Sequence, residues 1–253
     1  HNEGGSYRDA DKPFGLVVSM NPPHMPYDLV PEYYVEQYAD LSDEQLCTRP
    51  NIPPAGTKWG DYYRANIRNY MAMITGVDRQ FGRIVQALDE AGLADDTIVV
   101  FTSDHGNCLG IHGEISKGNH YEESVRVPFM IRWPDNIPPR RDDLLVSTPD
   151  IYPTLMELMG FGEDIPSGIE GESHAQIFRG NNGPRPQSQL CLGTSAEQPD
   201  CGWRALRTHT HTLVISTISA QPDEVCLYNN QEDPYQLQNV AGENGELALS
   251  LTK

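Results

Sequence analysis

The stretch Ile98 to Lys117, IVVFTSDHGNCLGIHGEISK, constrains the fold more than any other part of the sequence. Ile98, Val99, Val100 and Phe101 form an apolar, mostly β-branched run that empties into Thr102, Ser103, Asp104, His105 and Gly106. This is the pattern of a buried strand ending in a polar loop. Ligands of open α/β sheets collect where strands end, so the loop is the place to look for chemistry. Within the fourteen residues from Asp104 to Lys117 lie a carboxylate, two imidazoles and an ammonium: Asp104, His105, His112 and Lys117. Glycines at 106, 110, 113 and 118 let the backbone turn sharply between them. Such a set suits a cation and an anion held side by side.

Around this stretch the chain reads as alternating elements. Lys12 to Met20 (KPFGLVVSM) is expected to be a buried strand, followed by a stiff turn in which Pro22, Pro23 and Pro26 surround His24. Residues 31–60, rich in Pro, Asp, Glu and Tyr without a sustained period, read as a surface excursion at the mouth of a site. From Asp61 to Ala91 a long helix is expected, because Ile67, Met71, Ile74, Phe81, Ile84, Val85 and Leu88 recur at three- and four-residue steps, with Gly92 as its stop. Val127 to Arg132 is a further short strand. Thr148 and Pro149 open another helix, with Asp150 in its first turn. Residues 162–186 read as a linker. Beyond them Gln189 to Gly193, Trp203 to Thr208, Thr212 to Ile218 and Val225 to Tyr228 are strand-like, with a turn at Pro222 and Asp223. The order predicts an α/β layered domain with a mostly parallel central sheet, over 1–185, and a small C-terminal α+β subdomain with an antiparallel sheet, over 186–253.

Composition narrows the partners. The 253 residues carry a formal net charge of −18, which argues against nucleic acid and against docking on anionic membranes. No run of eighteen apolar residues occurs, so no membrane span is expected. The opening residues lack both an initiator Met and an apolar signal core, so His1 reads as a processing or cloning boundary with targeting information upstream. Five cysteines, Cys47, Cys108, Cys191, Cys201 and Cys226, are too few and scattered for a disulfide framework. Cys191 and Cys201 either pair across a small loop or remain free. The absence of an N-x-S/T sequon argues against heavy glycosylation.

TSDHG, then LG-x-HG, then a lysine followed by YEESVRVPFMIRWP (Tyr121 to Pro134), resembles the metal and sulfate segment of the formylglycine-dependent, arylsulfatase-like sulfatases of the alkaline phosphatase superfamily. The PPHMPY turn resembles the segment whose histidine faces the sulfate ester. GWRALRT and LYNNQEDPYQLQNVA resemble the C-terminal subdomain, with Asn229, Asn230 and Gln236 as departures at a structural turn. The resemblance implies that Asp104 and His105 ligate a divalent cation, usually calcium, that Lys117 contacts the sulfate, and that His24 stabilises or protonates the leaving oxygen. His112 either lines the pocket or buttresses Asp104.

What the resemblance also requires is not all in this sequence. Neither C-x-P-x-R nor S-x-P-x-R occurs, and Cys47 to Pro50 has the wrong spacing. The formylglycine nucleophile and the Asp pair that completes the cation site are therefore expected from an upstream segment of the same protein, with residues 1–185 as the C-terminal part of the catalytic domain. The implied activity is hydrolysis of sulfate monoesters on a sulfated small molecule or glycan by a periplasmic or secreted enzyme, the chain alone being inactive. The alternatives are a phosphonate or phosphate ester hydrolase of the same superfamily and a noncatalytic metal- or glycan-binding remnant.

Overall fold

A computed structural model of the chain describes residues 12–194, 198, 200–217 and 223–252. Its longest element follows from the helical period read above. Two short helices, α1 (Glu32–Val35) and α2 (Asp43–Leu46), precede α3, which runs from Lys58 to Glu90. The Thr57 hydroxyl accepts the Gly60 N–H at 3.1 Å and so caps the first turn of α3, while Gly92, at φ +65°, lets the chain leave it. Replacing Thr57 by Ala is expected to cost about 1 kcal/mol. A thermal melt would read this as a midpoint about 2–4 °C lower.

α3 buries Tyr63, Ile67 and Met73 in a core with Tyr27, Leu46, Leu109 and Ile111. That core decides two points on which the sequence misleads. The excursion over residues 31–60 is not only surface: Tyr34 and Leu46 are buried, and Arg64 and Arg68 of α3 pair with Glu44 and Asp43 at 2.6 and 3.0 Å. Its apolar residues follow no period because each meets α3 from a different turn. Ile74, by contrast, lies on the periodic stripe yet is 40 % exposed, since the core occupies a narrower arc of the helix than the stripe covers.

Strands β1 (Val99–Thr102) and β2 (Phe129–Arg132) pair antiparallel, with Val99 opposite Arg132, and Phe101 packs on Phe81 of α3 at 4.8 Å between ring centroids. This helix-on-sheet layer gives the α/β class. The mostly parallel sheet expected there differs from what is described, because the one ladder of this part is antiparallel. Residues 12–20 also differ from the expected buried strand. They belong to no strand ladder, and Leu16 and Val17 are 68 % and 92 % exposed. An apolar run becomes a strand only where a neighbour takes its backbone hydrogen bonds, and none of the described strands pairs with it.

In chain order α4 (Glu122–Val125) lies between β1 and β2, and α5 (Thr148–Leu158) and α6 (Ala175–Phe178) follow β2. α5 has Ser147, one residue earlier than expected, as its N-cap. Asp150 is structural, accepting hydrogen bonds from Ser147 N, Glu172 N and Gln189 Nε2 at 2.8, 3.0 and 3.2 Å. Residues 162–186 are more than a linker, because His174, Ala175 and Ile177 are buried. Their polar, glycine-rich composition hid a backbone held by Asp150 and Thr154.

Strands β3 (Ser188–Thr194), β4 (Gly202–Thr208), β5 (His211–Thr217) and β6 (Glu224–Asn229) form the C-terminal antiparallel sheet in sequential order, with helix α7 (Gly245–Leu251) laying Ala248 against Leu213 and Leu227. The strand end expected at Ile218 and the turn at Pro222 lie outside the described residues. All five cysteines are free. No helix among the described residues is long and apolar enough to cross a membrane.

Candidate functional site

The loop that leaves β1 is held from below and from both ends. Leu109 and Ile111 sink into the α3 core, with Leu109 and Gly110 at φ +49° and +95°. Gly106 N donates to Ser124 O at 2.8 Å and Cys108 N to Ser116 O at 2.6 Å. The turn carrying His24 is tied to the same loop, because Asn107 Nδ2 donates to the Tyr27 hydroxyl at 2.9 Å while the Tyr27 ring packs edge-on against Tyr70 of α3 at 5.8 Å.

That tie brings two of the expected residues together. Lys117 Nζ lies 2.8 Å from His24 Nε2, across 93 residues of sequence. His24 Nδ1 lies 2.8 Å from the Met25 carbonyl. A carbonyl only accepts, so Nδ1 carries the hydrogen and Nε2 presents its lone pair to the ammonium. Both side chains are exposed.

Asp104 and His105 form a second pair. Asp104 Oδ1 accepts the His105 N–H at 2.9 Å and the Ser103 hydroxyl at 3.3 Å, and its Oδ2 faces His105 Nε2 at 3.4 Å. What burial Asp104 has pushes its carboxyl up, but the His105 N–H, the charge of His105 and Ser103 together outweigh it and hold the group below the usual aspartate value. His105 Nδ1 lies 2.9 Å from the Gly106 carbonyl, which places the hydrogen there and leaves Nε2 able to serve as a ligand. Asp104 Oδ2 and His105 Nε2 are thus two donor atoms turned the same way on an exposed edge, the Asp104 side chain being 83 % exposed. They fit two positions of a divalent-cation site but do not fill one. Calcium takes about six to eight oxygen ligands, and no group of three or more His, Cys, Asp or Glu converges among the described residues. No hydrogen bond or ion pair joins this pair to His24 or Lys117 among the described residues.

His112 stands apart from both. It is mostly buried, its side chain 9 % exposed, with φ +58°, stacks on Tyr121 at 3.7 Å between ring centroids, and turns Nε2 toward Glu123 Oε2 at 3.3 Å. Its polar contact is therefore with Glu123, not Asp104.

Glu123, one of the charges in the YEESVR run, is a functional-site neighbour that its local sequence does not single out. Its side chain is 3 % exposed, and it accepts from Asn51 Nδ2 at 2.8 Å and Arg49 Nη1 at 3.2 Å. Burial pushes its carboxyl up, but the contacts from His112 and Asn51 win and bring it down to about 2. Asn51 also reaches the Tyr235 carbonyl at 3.4 Å, and Gln236 Oε1 accepts the Glu122 N–H at 2.7 Å. Site loop, excursion and C-terminal residues thus meet at one buried carboxylate. Gln236, a departure from the expected turn pattern, has a structural use there.

Comparison with known proteins identifies the family of the chain. The sulfatase family model matches residues 6–161, and the model described as N-sulphoglucosamine sulphohydrolase, C-terminal, matches residues 110–252. An endo-4-O-sulfatase of Bacteroides thetaiotaomicron is 36 % identical over 98 % of this chain and 51 % of its own length. The crystal structure of a putative sulfatase from Bacteroides fragilis superposes with a TM-score of 0.89 at 43 % identity, covering 95 % of this chain and 52 % of that one. The phosphonate monoester hydrolase of Agrobacterium radiobacter superposes with a TM-score of 0.66 at 27 % identity, over 78 % of this chain and 41 % of that one. The chain spans about half the length of that endo-4-O-sulfatase. With one family model over its first part and a related one over the remainder, the chain belongs to the sulfatase family of the alkaline phosphatase superfamily.

Proposed function

We propose that this chain is the part of a sulfuric ester hydrolase that grips the ester oxygens and supplies two ligands to a divalent cation, while a formylglycine nucleophile and the remaining ligands come from an upstream segment of the same protein. The observation that carries the reading is the 2.8 Å contact between Lys117 Nζ and His24 Nε2. Two side chains far apart in sequence, each suited to a negatively charged oxygen, occupy one spot beside the strand-end loop. Lys117 supplies a fixed positive charge for the nonbridging oxygens. His24 stabilises or protonates the departing oxygen. To donate there it needs a proton at Nε2, and the anion held by Lys117 provides the negative charge beside which an imidazolium is tolerated.

Asp104 Oδ2 and His105 Nε2 would serve as two of the cation's ligands, calcium being the expected ion, and the bound cation would orient the ester and absorb charge. The exposed apolar run from Leu16 to Val18, which pairs with no strand among the described residues, supports further polypeptide packing there. Residues 186–253 form the small C-terminal subdomain of this assembly. The substrate we infer is a sulfated glycan, supported by the N-sulphoglucosamine sulphohydrolase model over residues 110–252. A periplasmic or secreted location suits such a substrate.

The test is hydrolysis of 4-nitrophenyl sulfate with calcium added. The chain alone is expected to give no turnover. A longer protein with C-x-P-x-R upstream is expected to be active, and Lys117→Met is expected to lower its rate about a hundredfold. Turnover by the chain alone that scales with its concentration and disappears in Lys117→Met would overturn the division of labour, and absence of the motif upstream would favour a noncatalytic remnant. The likeness to a phosphonate monoester hydrolase favours a second reading, a phosphonate or phosphate ester hydrolase. Relative rates on matched sulfate, phosphate and phosphonate esters separate the two.

A further inference from the structure

Lys117 stands between two backbone anchors. On one side Ser116 O accepts the Cys108 N–H at 2.6 Å. On the other, Gly118 adopts φ +91° with nothing near the place of a Cβ, so the glycine serves backbone conformation and not packing. Glycine alone populates many conformations about equally, and something must select one. Gly118 N donates to Ser124 Oγ at 3.1 Å, and Gly118 O accepts from Trp203 Nε1 at 3.0 Å, across 85 residues. The second bond comes from β4 of the C-terminal sheet.

The indole is itself aimed. Trp203 lies opposite Gly193 of β3 in the ladder, where any Cβ would collide with Nε1 and its neighbouring ring atoms. His120 meets the ring edge-on at 6.2 Å between centroids. Two further contacts fix the C-terminal residues to the segment after Lys117: Arg207 of β4 pairs with Glu122, and Gln236 Oε1, beyond β6, accepts the Glu122 N–H.

We propose that Trp203 is a positioning residue for Lys117: by donating its indole N–H to Gly118 O it fixes the left-handed turn that delivers the lysine to His24, so that the C-terminal sheet sets the geometry of the oxyanion grip. The inference rests on the Lys117–His24 reading above and gives the C-terminal sheet a part in that site.

The test uses the full chain and Trp203→Phe, which keeps an aromatic body and removes the donor. The ¹⁵N shift of His24 Nε2 reports the lysine contact and is calibrated with Lys117→Met. In a folded Trp203→Phe, confirmed by circular dichroism, the shift is expected to move toward the Lys117→Met value, reflecting a pairing weakened about two- to tenfold, the effect of one lost hydrogen bond. A purely structural tryptophan would change the melting temperature and leave that shift in place, which would overturn the proposal. If wild type and Lys117→Met give the same His24 shift, the site reading falls and this inference with it. If Trp203→Phe does not fold, the wild-type indole N–H decides. Exchange slower than free indole by about two- to tenfold supports the bond, and exchange at the free rate overturns it.

Discussion

Glu123→Ala is expected to destabilise the chain by about 3 kcal/mol or more, read as a lower urea midpoint at unchanged slope. The loss comes from what stays behind. Asn51 loses its 2.8 Å acceptor, and the His112 ring, only 9 % exposed, faces an empty space where Oε2 stood. Arg49, 51 % exposed, is rehydrated and contributes less.

The same residue gives a pH dependence whose sign is fixed. Its folded value of about 2 lies below the ordinary 4.5, so the folded state holds the ionised form more tightly than the unfolded one. The contribution is therefore full above about pH 4.5 and is lost as pH falls toward 2. Glu123→Gln, which keeps the shape and removes the titration, is expected to flatten the stability profile in that window. A wild-type profile already as flat as the variant's would refute the assignment.

Gly106→Ala is expected to cost about 2–3 kcal/mol, with a disordered site loop as its second signature. A Cβ at this position would fall inside the contact radius of the Glu123 carbonyl oxygen, which is backbone and cannot rotate away. Relieving the clash lengthens the 2.8 Å bond from Gly106 N to Ser124 O, which closes the loop behind Asp104 and His105. Urea titration measures the stability, and amide exchange at 106–118 measures the loop. An Ala variant with wild-type stability and exchange would show that the loop accommodates the methyl by moving as a unit.

Both predictions turn on a glycine and a carboxylate whose types are visible in the sequence and whose partners are not. Gly106 reads as a turn residue, whereas the structure makes it a close approach between two backbones. Glu123 reads as one charge among several in YEESVR, yet two of its partners, Asn51 and Arg49, lie 72 and 74 residues away, on a segment taken for surface.

Sequence alone determined what depends on near neighbours. The strand of Val99 to Phe101 ending in a polar loop, the α3 helix closed by Gly92, and the four short strands of the C-terminal sheet are set by side-chain period and turn residues, which act over a few positions. The residue types of the candidate site, Asp104, His105, Lys117 and His24, are visible for the same reason, each sitting in a short run. The tertiary structure decided which of them meet: His24 with Lys117, Asp104 with His105, and His112 with Glu123 in place of Asp104. It also decided that Val17, apolar enough for a buried strand, stands exposed. A hydrogen bond or a buried contact needs a partner in space. The chain's local pattern states that a group seeks one, and only packing across distant segments selects which.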